Sequence, residues 1–195
     1  MKKSLQNTKT RENLLKAFAG ESMGRMRYTY FAKAAKEEGY IQISNIFLET
    51  AENEKAHAKR FFRFLGEENT GGIIKEAHYP IGLSDKTLEN LRFAADGEKE
   101  ENTVLYPSFA KIAKEEGFKD IAECFLETTK VEKIHEERYR KLIENIEEDK
   151  VFKRDKEIIW KCLNCGYHYY GKEAPERCPS CLHKQEYFEV YCQNF

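Results

Sequence analysis

The stretch Phe31-Ala-Lys-Ala-Ala-Lys-Glu-Glu-Gly39 returns as Phe109-Ala-Lys-Ile-Ala-Lys-Glu-Glu-Gly117, and this recurrence decides the fold. Working outward, Phe47-Leu-Glu-Thr50 returns as Phe125-Leu-Glu-Thr128, and Glu54-Lys-Ala-His57 as Glu132-Lys-Ile-His135, each pair displaced by 78 residues. A unit of that length is too long for a solenoid repeat and suits a duplicated helical hairpin. Leu14, Leu15, Phe18, Tyr28, Phe31 and Ala35 form a broken apolar stripe of helical period, predicting a helix from about Thr10 to Glu38 that stops at Gly39. A second helix is expected from about Gln42 to Leu65. A third is expected from an N-cap at Ser84 to Gly117, and a fourth from about Lys119 to Glu148. Residues 66–83, with four glycines and Pro80, are too long for a tight turn, so the pattern is a four-helix bundle with one long crossover.

Composition agrees. Glu supplies 29 of the 34 acidic residues, and Glu favours helices where Asp favours caps and turns. A net charge of -1 argues against nucleic acid as a partner. No apolar run approaches a membrane span, and no apolar segment follows the basic start, so no membrane partner and a cytoplasmic location are expected. In a reducing compartment, closely spaced cysteines favour metal over structural disulfides.

Each half carries Gly-Glu on its first helix and Glu-x-x-His on its second: Glu21, Glu54 and His57, then Glu98, Glu132 and His135. Residues three apart share a helix face. Glu21 lies 18 residues before Gly39, and His57 lies 18 after it, so an antiparallel hairpin brings them to one height. Two such hairpins would gather four carboxylates and two imidazoles at one level of the core. One Glu from each of two helices plus Glu-x-x-His from the other two is the ligand set of ferritin-like di-iron sites. Glu is so abundant that Glu-x-x-His alone is a weak signal, since most such pairs decorate solvated faces. The repeat-equivalent placement gives it weight.

The repeat has one flaw. Gly20-Glu21 matches Gly97-Glu98 at a displacement of 77, so one extra residue lies between Glu98 and Tyr106. An insertion rotates the preceding helix by about 100° unless something absorbs it, and a single π turn does so. Pro107, which lacks a backbone donor, makes a defect there less costly. The expectation is a π turn that brings a further carboxylate, Glu101, towards the metals. The alternative is that Glu100 and Glu101 are simply exposed charges and the defect lies elsewhere. Tyr28 and Tyr106 are repeat-equivalent and placed either to hydrogen-bond a ligating carboxylate or to serve only as core tyrosines.

After residue 150 the chain turns aromatic. Cys162-Leu-Asn-Cys165 and Cys178-Pro-Ser-Cys181 form two knuckles, a pattern that binds one tetrahedral metal, zinc or iron. Two domains are therefore expected, 1–150 and 151–195, and the second is too small to fold without a staple such as a metal. Cys124 reads as a buried hydrophobe. Cys192 has no evident role, and His78, His168 and His183 are expected on the surface or in loops.

These residues carry a resemblance. Gly20-Glu21, Glu54-x-x-His57, Gly97-Glu98-x-x-Glu101, Tyr106-Pro-Ser-Phe109, Glu132-x-x-His135, Trp160-x-Cys-x-x-Cys-Gly-Tyr167 and Ala-Pro-Glu-x-Cys-Pro-x-Cys181 resemble the rubrerythrin family along nearly the whole chain. The resemblance implies a mainly α protein: a ferritin-like bundle plus a small β-rich rubredoxin-like ribbon. It implies two non-haem irons in the bundle, bridged by Glu54 and Glu132 and capped by Glu21 and Glu98. His135 binds one iron, and Glu101 and His57 alternate on the other. It implies one iron on Cys162, Cys165, Cys178 and Cys181, with zinc as a possible substitute. It further implies a head-to-tail homodimer that reduces hydrogen peroxide with electrons from an external reductase or small redox protein, as oxidative-stress defence in an anaerobe. Leu182 stands where free-standing rubredoxins usually carry Gly, and the spacing between knuckles is shorter than theirs. A ferroxidase or iron-storage bundle with a structural zinc ribbon is the competing reading.

Overall fold

The computed structural model describes residues 3–66 and 71–194. Helix α1 spans Lys9–Glu37 and α2 Ile41–Gly66. Helix α3, Thr87–Glu100, continues through a π turn, Glu101–Leu105, into α4, Tyr106–Glu115. Helix α5 spans Lys119–Glu147. Since α3, the π turn and α4 form one rod, this is the four-helix bundle expected, with a small sheet after it.

The two hairpins close in the same way. Gly39 and Gly117 both have φ of +83°, the left-handed conformation that glycine adopts without steric cost. At the first turn, Tyr40 N–H bonds Ala35 O and Gly39 N–H bonds Lys36 O. Phe118 to Ala113 and Gly117 to Lys114 repeat the pattern at the second.

The hairpins also cap each other. Glu116, beside the second turn, accepts the backbone N–H groups of Lys9 and Thr10 at 3.1 and 2.8 Å and the Thr10 hydroxyl at 2.6 Å, all at the start of α1. Its repeat-equivalent, Glu38, accepts from the Thr87 N–H and Lys86 Nζ at the start of α3. Burial opposes the charge on both carboxylates, but these hydrogen bonds outweigh it and hold both below the usual carboxyl pKa. This corrects the expected N-cap. The Ser84 hydroxyl accepts only from Lys86 N, and the helix begins at Thr87, because the carboxylate of Glu38 satisfies its first donor from outside.

Two aromatic clusters flank the bundle's midlevel. One contains Tyr28, Phe31, Phe47 and Tyr139, and the other Tyr106, Phe109, Phe125 and Phe61. They are repeat-equivalent sets, each taking three residues from one half and one from the other. Phe31, Phe47, Phe61 and Phe125 are fully buried, each contributing roughly 1.5–3 kcal/mol of hydrophobic stabilisation.

The expected crossover, 66–83, includes 67–70, which lie outside the described residues. The following segment runs over α1: Arg11 donates to Gly71 O at 2.6 Å, and Tyr79 OH donates to Lys16 O at 3.2 Å. Ile73, Ile81 and Leu83 on it are exposed. Strands β1 (Lys153–Cys162), β2 (His168–Glu173) and β3 (Phe188–Val190) form an antiparallel sheet in the order β2-β1-β3. Trp160, Ala174 and Phe188 form its core. As expected, His78 is exposed on the crossover and His168 is exposed on β2, and Cys124 packs half-buried against an aromatic cluster. Among the described residues, no helix is long and apolar enough to cross a membrane.

Candidate metal centres

The helices bring the predicted residues together as two overlapping groups. Glu21, Glu54, His57 and Glu132 form one, and Glu54, Glu98, Glu132 and His135 the other. Within each, one ligand atom per residue lies within 4.8 Å of the rest. Glu54 and Glu132 belong to both. All four glutamates are buried, at no more than 2% exposure. Unpaired charges so deep would be strongly unfavourable.

Both imidazoles turn Nδ1 inward. His57 Nδ1 lies 3.0 Å from Glu54 Oε2, 3.0 Å from Glu132 Oε1 and 3.7 Å from Glu21 Oε2. His135 Nδ1 lies 2.9 Å from Glu132 Oε2, 3.2 Å from Glu54 Oε1 and 3.6 Å from Glu98 Oε2. Proximity is not matched by hydrogen bonding: Glu54 Oε1, Glu98 Oε2, both Glu132 oxygens and His135 Nδ1 are buried without a hydrogen-bond partner. Lone pairs converging on common points, unsatisfied by any donor, are what a pair of cations would satisfy.

Without metal the group is electrostatically frustrated. Burial, then the charge of Glu54, pushes the Glu98 carboxyl up to about 8. Burial, then the charge of Glu132, raises Glu21 well above the usual range. Burial opposes the charge of Glu54, but the adjoining imidazoles of His135 and His57 hold it at about 2. Burial disfavours imidazolium at His135, yet the adjoining carboxylates of Glu132, Glu54 and Glu98 raise it to about 12.

Phenols brace the outer carboxylates across the repeat: Tyr28 OH donates to Glu98 Oε1, and Tyr106 OH to Glu21 Oε1. Burial, then the charge of Glu98 at Tyr28 and of Glu101 at Tyr106, keeps both phenols protonated as donors.

The π turn occurs where the one-residue flaw predicts it, with Tyr106 N–H bonding Glu101 O five residues back. Glu101 opens it. Its carboxyl is raised by burial and then by the charge of Glu21. It joins neither four-residue group. Its Oε1 lies instead 3.9 Å from where a Cβ on Gly20 would stand, in the wall of a cavity of about 270 Å³ that also touches Glu21, Glu54 and Tyr106. Asn102, unremarkable in sequence, secures the turn: its Nδ2 donates to Glu98 O at 2.8 Å and Glu136 Oε2 at 3.0 Å. A second asparagine missed in the sequence, Asn53, accepts from His135 Nε2 at 3.3 Å.

In the tail, Cys162, Cys165, Cys178 and Cys181 converge with all sulfurs within 4.8 Å. The Cys162–Cys181 and Cys165–Cys178 separations are 3.7 and 3.6 Å. These match the ~3.8 Å edge of a tetrahedron with 2.3 Å metal–sulfur bonds. Gly166 after the first knuckle has φ of +76° and Leu182 after the second +63°, so Leu182 adopts in this chain the backbone that glycine provides in the other knuckle. Cys192 is exposed and apart.

A four-helix bundle enclosing two overlapping carboxylate–histidine groups, followed by a four-thiolate ribbon, defines a ferritin-like di-iron protein with a rubredoxin-like centre. The family profile Rubrerythrin matches residues 12–157, and Rubrerythrin, rubredoxin-like domain matches 160–189. Rubrerythrin of Clostridium perfringens is 56% identical over 194 residues, covering 99% of this chain and 100% of that protein. Rubrerythrin-1 of Clostridium acetobutylicum is 58% identical over 195 residues, covering 99% and 100%. Among solved structures, mixed-valent nigerythrin superposes with a TM-score of 0.63 at 33% identity, covering 96% of this chain and 91% of that one. The chain belongs to the rubrerythrin family. Its cofactors are accordingly a di-iron pair held by carboxylates and histidines and a metal held by the four clustered cysteines.

Proposed function

We propose that the protein reduces hydrogen peroxide to water in the bundle and is re-reduced one electron at a time through the four-thiolate iron. The observation that carries the reading is the sharing of Glu54 and Glu132 between two otherwise separate ligand groups, so that both carboxylates would help to hold each of two irons. When bound, the iron pair supplies the two electrons that, with two protons, convert one peroxide into two waters. Glu21 and Glu98 serve as terminal carboxylates, oriented by Tyr106 and Tyr28. His135 would hold the metal on the Glu98 side and His57 that on the Glu21 side, with Glu101 as the alternative ligand to His57. The cavity beside Glu21 and Glu101 admits the substrate.

Domain 1–150 thus carries the reaction and 151–195 the relay. In its own chain the ribbon docks at the far end of the bundle, where Phe152 stacks on Tyr40 at 6.4 Å and Glu186 meets Gly39. Eighteen residues of helix separate Gly39 from the level of Glu21 and His57, roughly 27 Å. Electrons therefore enter from the ribbon of a second copy in a head-to-tail homodimer, which also covers the exposed crossover residues Ile73, Ile81 and Leu83. The external donor is a reductase or small redox protein, and the setting is the cytoplasm of an oxygen-avoiding cell under oxidative stress.

The test is anaerobic: reduce the protein, mix it with hydrogen peroxide or dioxygen, and follow oxidation of both centres. Rapid oxidation by peroxide supports the reading, and faster oxidation by dioxygen overturns it. Three irons per chain support the relay. Two irons and a zinc in protein from its native host would favour the ferroxidase alternative.

A further inference from the structure

Three glycines in helix interiors face one cavity. Gly20 and Gly24 lie in α1 and Gly97 in α3, and all three line the cavity of about 270 Å³ whose wall also holds Glu21 and Glu54. None has the positive φ of Gly39 or Gly117, so the backbone does not call for glycine at these places. Packing does not call for it either. A Cβ on Gly20 would stand 3.7 Å from Tyr79 Cε1 and 3.9 Å from Glu101 Oε1, one on Gly24 would stand 3.7 Å from Glu54 Cγ, and one on Gly97 would meet nothing within 4 Å. These are ordinary contacts or open space. Glycine inside a helix is less stable than alanine, so the chain keeps three unfavourable residues where alanine would fit. What alanine would remove is room.

Hydrogen peroxide does not need that room. A water molecule takes about 30 Å³ of the liquid, and an apolar cavity of about 150 Å³ already binds benzene. Ala17, Met23, Leu105 and Phe109 extend the cavity with apolar surface, which offers the two oxygens of hydrogen peroxide no hydrogen bond. Tyr79 bounds it on the crossover side, its hydroxyl donating to Lys16 O at 3.2 Å. Glu54 apart, the cavity is lined by α1, the α3–α4 rod and the crossover, whereas the groove beside His57 runs between α2 and α5.

We propose that Gly20, Gly24 and Gly97 hold this cavity open for alkyl hydroperoxides, and that Tyr79 is the side chain that limits their size. The inference rests on the peroxide-reducing reading above and widens its substrate class. The O–O bond of the hydroperoxide breaks, two electrons come from the reduced iron pair and two protons from water, and the products are one alcohol and one water. The alkyl group rests on the apolar wall while the peroxide oxygens reach the level of Glu21 and Glu54.

The test uses full-length holoprotein, reduced anaerobically and mixed with hydrogen peroxide or tert-butyl hydroperoxide, with oxidation of the bundle irons followed in time. Binding of tert-butanol, the unreactive product alcohol, to the oxidised protein is measured in parallel by ligand-observed NMR. The wild type is expected to be oxidised by both peroxides and to bind the alcohol. One methylene more or less in an apolar pocket is worth about 10–200-fold in discrimination. Gly20→Ala and Gly97→Leu should therefore each lower the ratio of the tert-butyl hydroperoxide rate to the hydrogen peroxide rate by at least ~10-fold and weaken alcohol binding. Tyr79→Ala should raise the rate with bulkier cumene hydroperoxide relative to tert-butyl hydroperoxide by about 10-fold. A wild type oxidised by hydrogen peroxide alone overturns the inference and leaves the proposed function standing. Glycine variants that slow both peroxides in equal proportion, or that leave alcohol binding unchanged, overturn it as well, since equal slowing is damage to the metal site rather than lost room. Oxidation by neither peroxide refutes the proposed function itself, and with it the substrate class inferred from the cavity.

Discussion

Removing the bundle metals should make stability fall steeply as the pH rises, while the loaded protein stays level. Glu98 is fully buried, and its carboxyl sits at about 8 in the metal-free fold against roughly 4.3 in an unfolded chain. A carboxyl raised on folding is harmless below its unfolded pKa, where both states are protonated. Above it, the unfolded state releases a proton that the folded state keeps, and stability drops by about 1.4 kcal/mol per pH unit until the folded pKa is reached. Between pH 5 and pH 8, Glu98 alone costs about 4 kcal/mol. Burial raises Glu21 and Glu101 in the same direction. His135, raised to about 12, contributes stability that is fully present below about pH 6.5 and fades above it, so it adds to the fall. Glu54, held at about 2, does not titrate in this window. At roughly 2–4 °C per kcal/mol for a chain of this size, the metal-free Tm should drop by at least ~8 °C from pH 5 to pH 8. Thermal unfolding followed by circular dichroism, on chelated and iron-loaded samples at each pH, measures it. A flat or rising metal-free profile, or an equal fall in the loaded protein, refutes the reasoning.

Three further outcomes follow from the same geometry. Glu132→Ala removes a carboxylate common to both groups, so metal analysis should show loss of both bundle irons with the thiolate iron retained. Tyr106→Phe deletes the donor to Glu21, so iron affinity on that side should weaken about 10–100-fold while helix content is unchanged, as read by anaerobic titration. Glu116→Ala leaves the Thr8 cap of α1 in place but removes the acceptor of the Lys9 and Thr10 N–H groups and of the buried Thr10 hydroxyl, costing about 2–3 kcal/mol in denaturant unfolding, whereas exposed Glu115→Ala should change stability by less than ~0.5 kcal/mol.

The bundle was legible in sequence because duplication prints the same residues twice, and identical spacing around Gly39 and Gly117 fixes the height of each ligand. The π turn was legible for a related reason: a break in an otherwise constant displacement locates the defect that absorbs it. Contacts made across the two halves were not legible. Ser84 has the residue type of an N-cap, yet Glu38, far away in sequence, fills that role, and local propensity carries no information about it. Asn53 lies beside a motif that was read, but its bond to His135 depends on how α2 and α5 pack. Glu101 was expected beside the metals. It is half-buried and lines the cavity beside Glu21, but it joins neither ligand group, a side-chain outcome that spacing does not encode. The sheet order of the ribbon was equally hidden, since its aromatic residues show no clean alternation.

The reciprocal use of Glu38 and Glu116 bears on ancestry and assembly. Each hairpin ends in a carboxylate that completes the opposite hairpin and leaves its own first helix open, so neither is a finished object alone. Those contacts join one half to the other without reference to the covalent path between them. Two short chains, each a single hairpin, would satisfy them as well as one long chain does, and so would halves traded between two copies. The connection over α1 fixes which halves belong together, so an insertion or deletion in it should alter the pairing partner without altering the pairing.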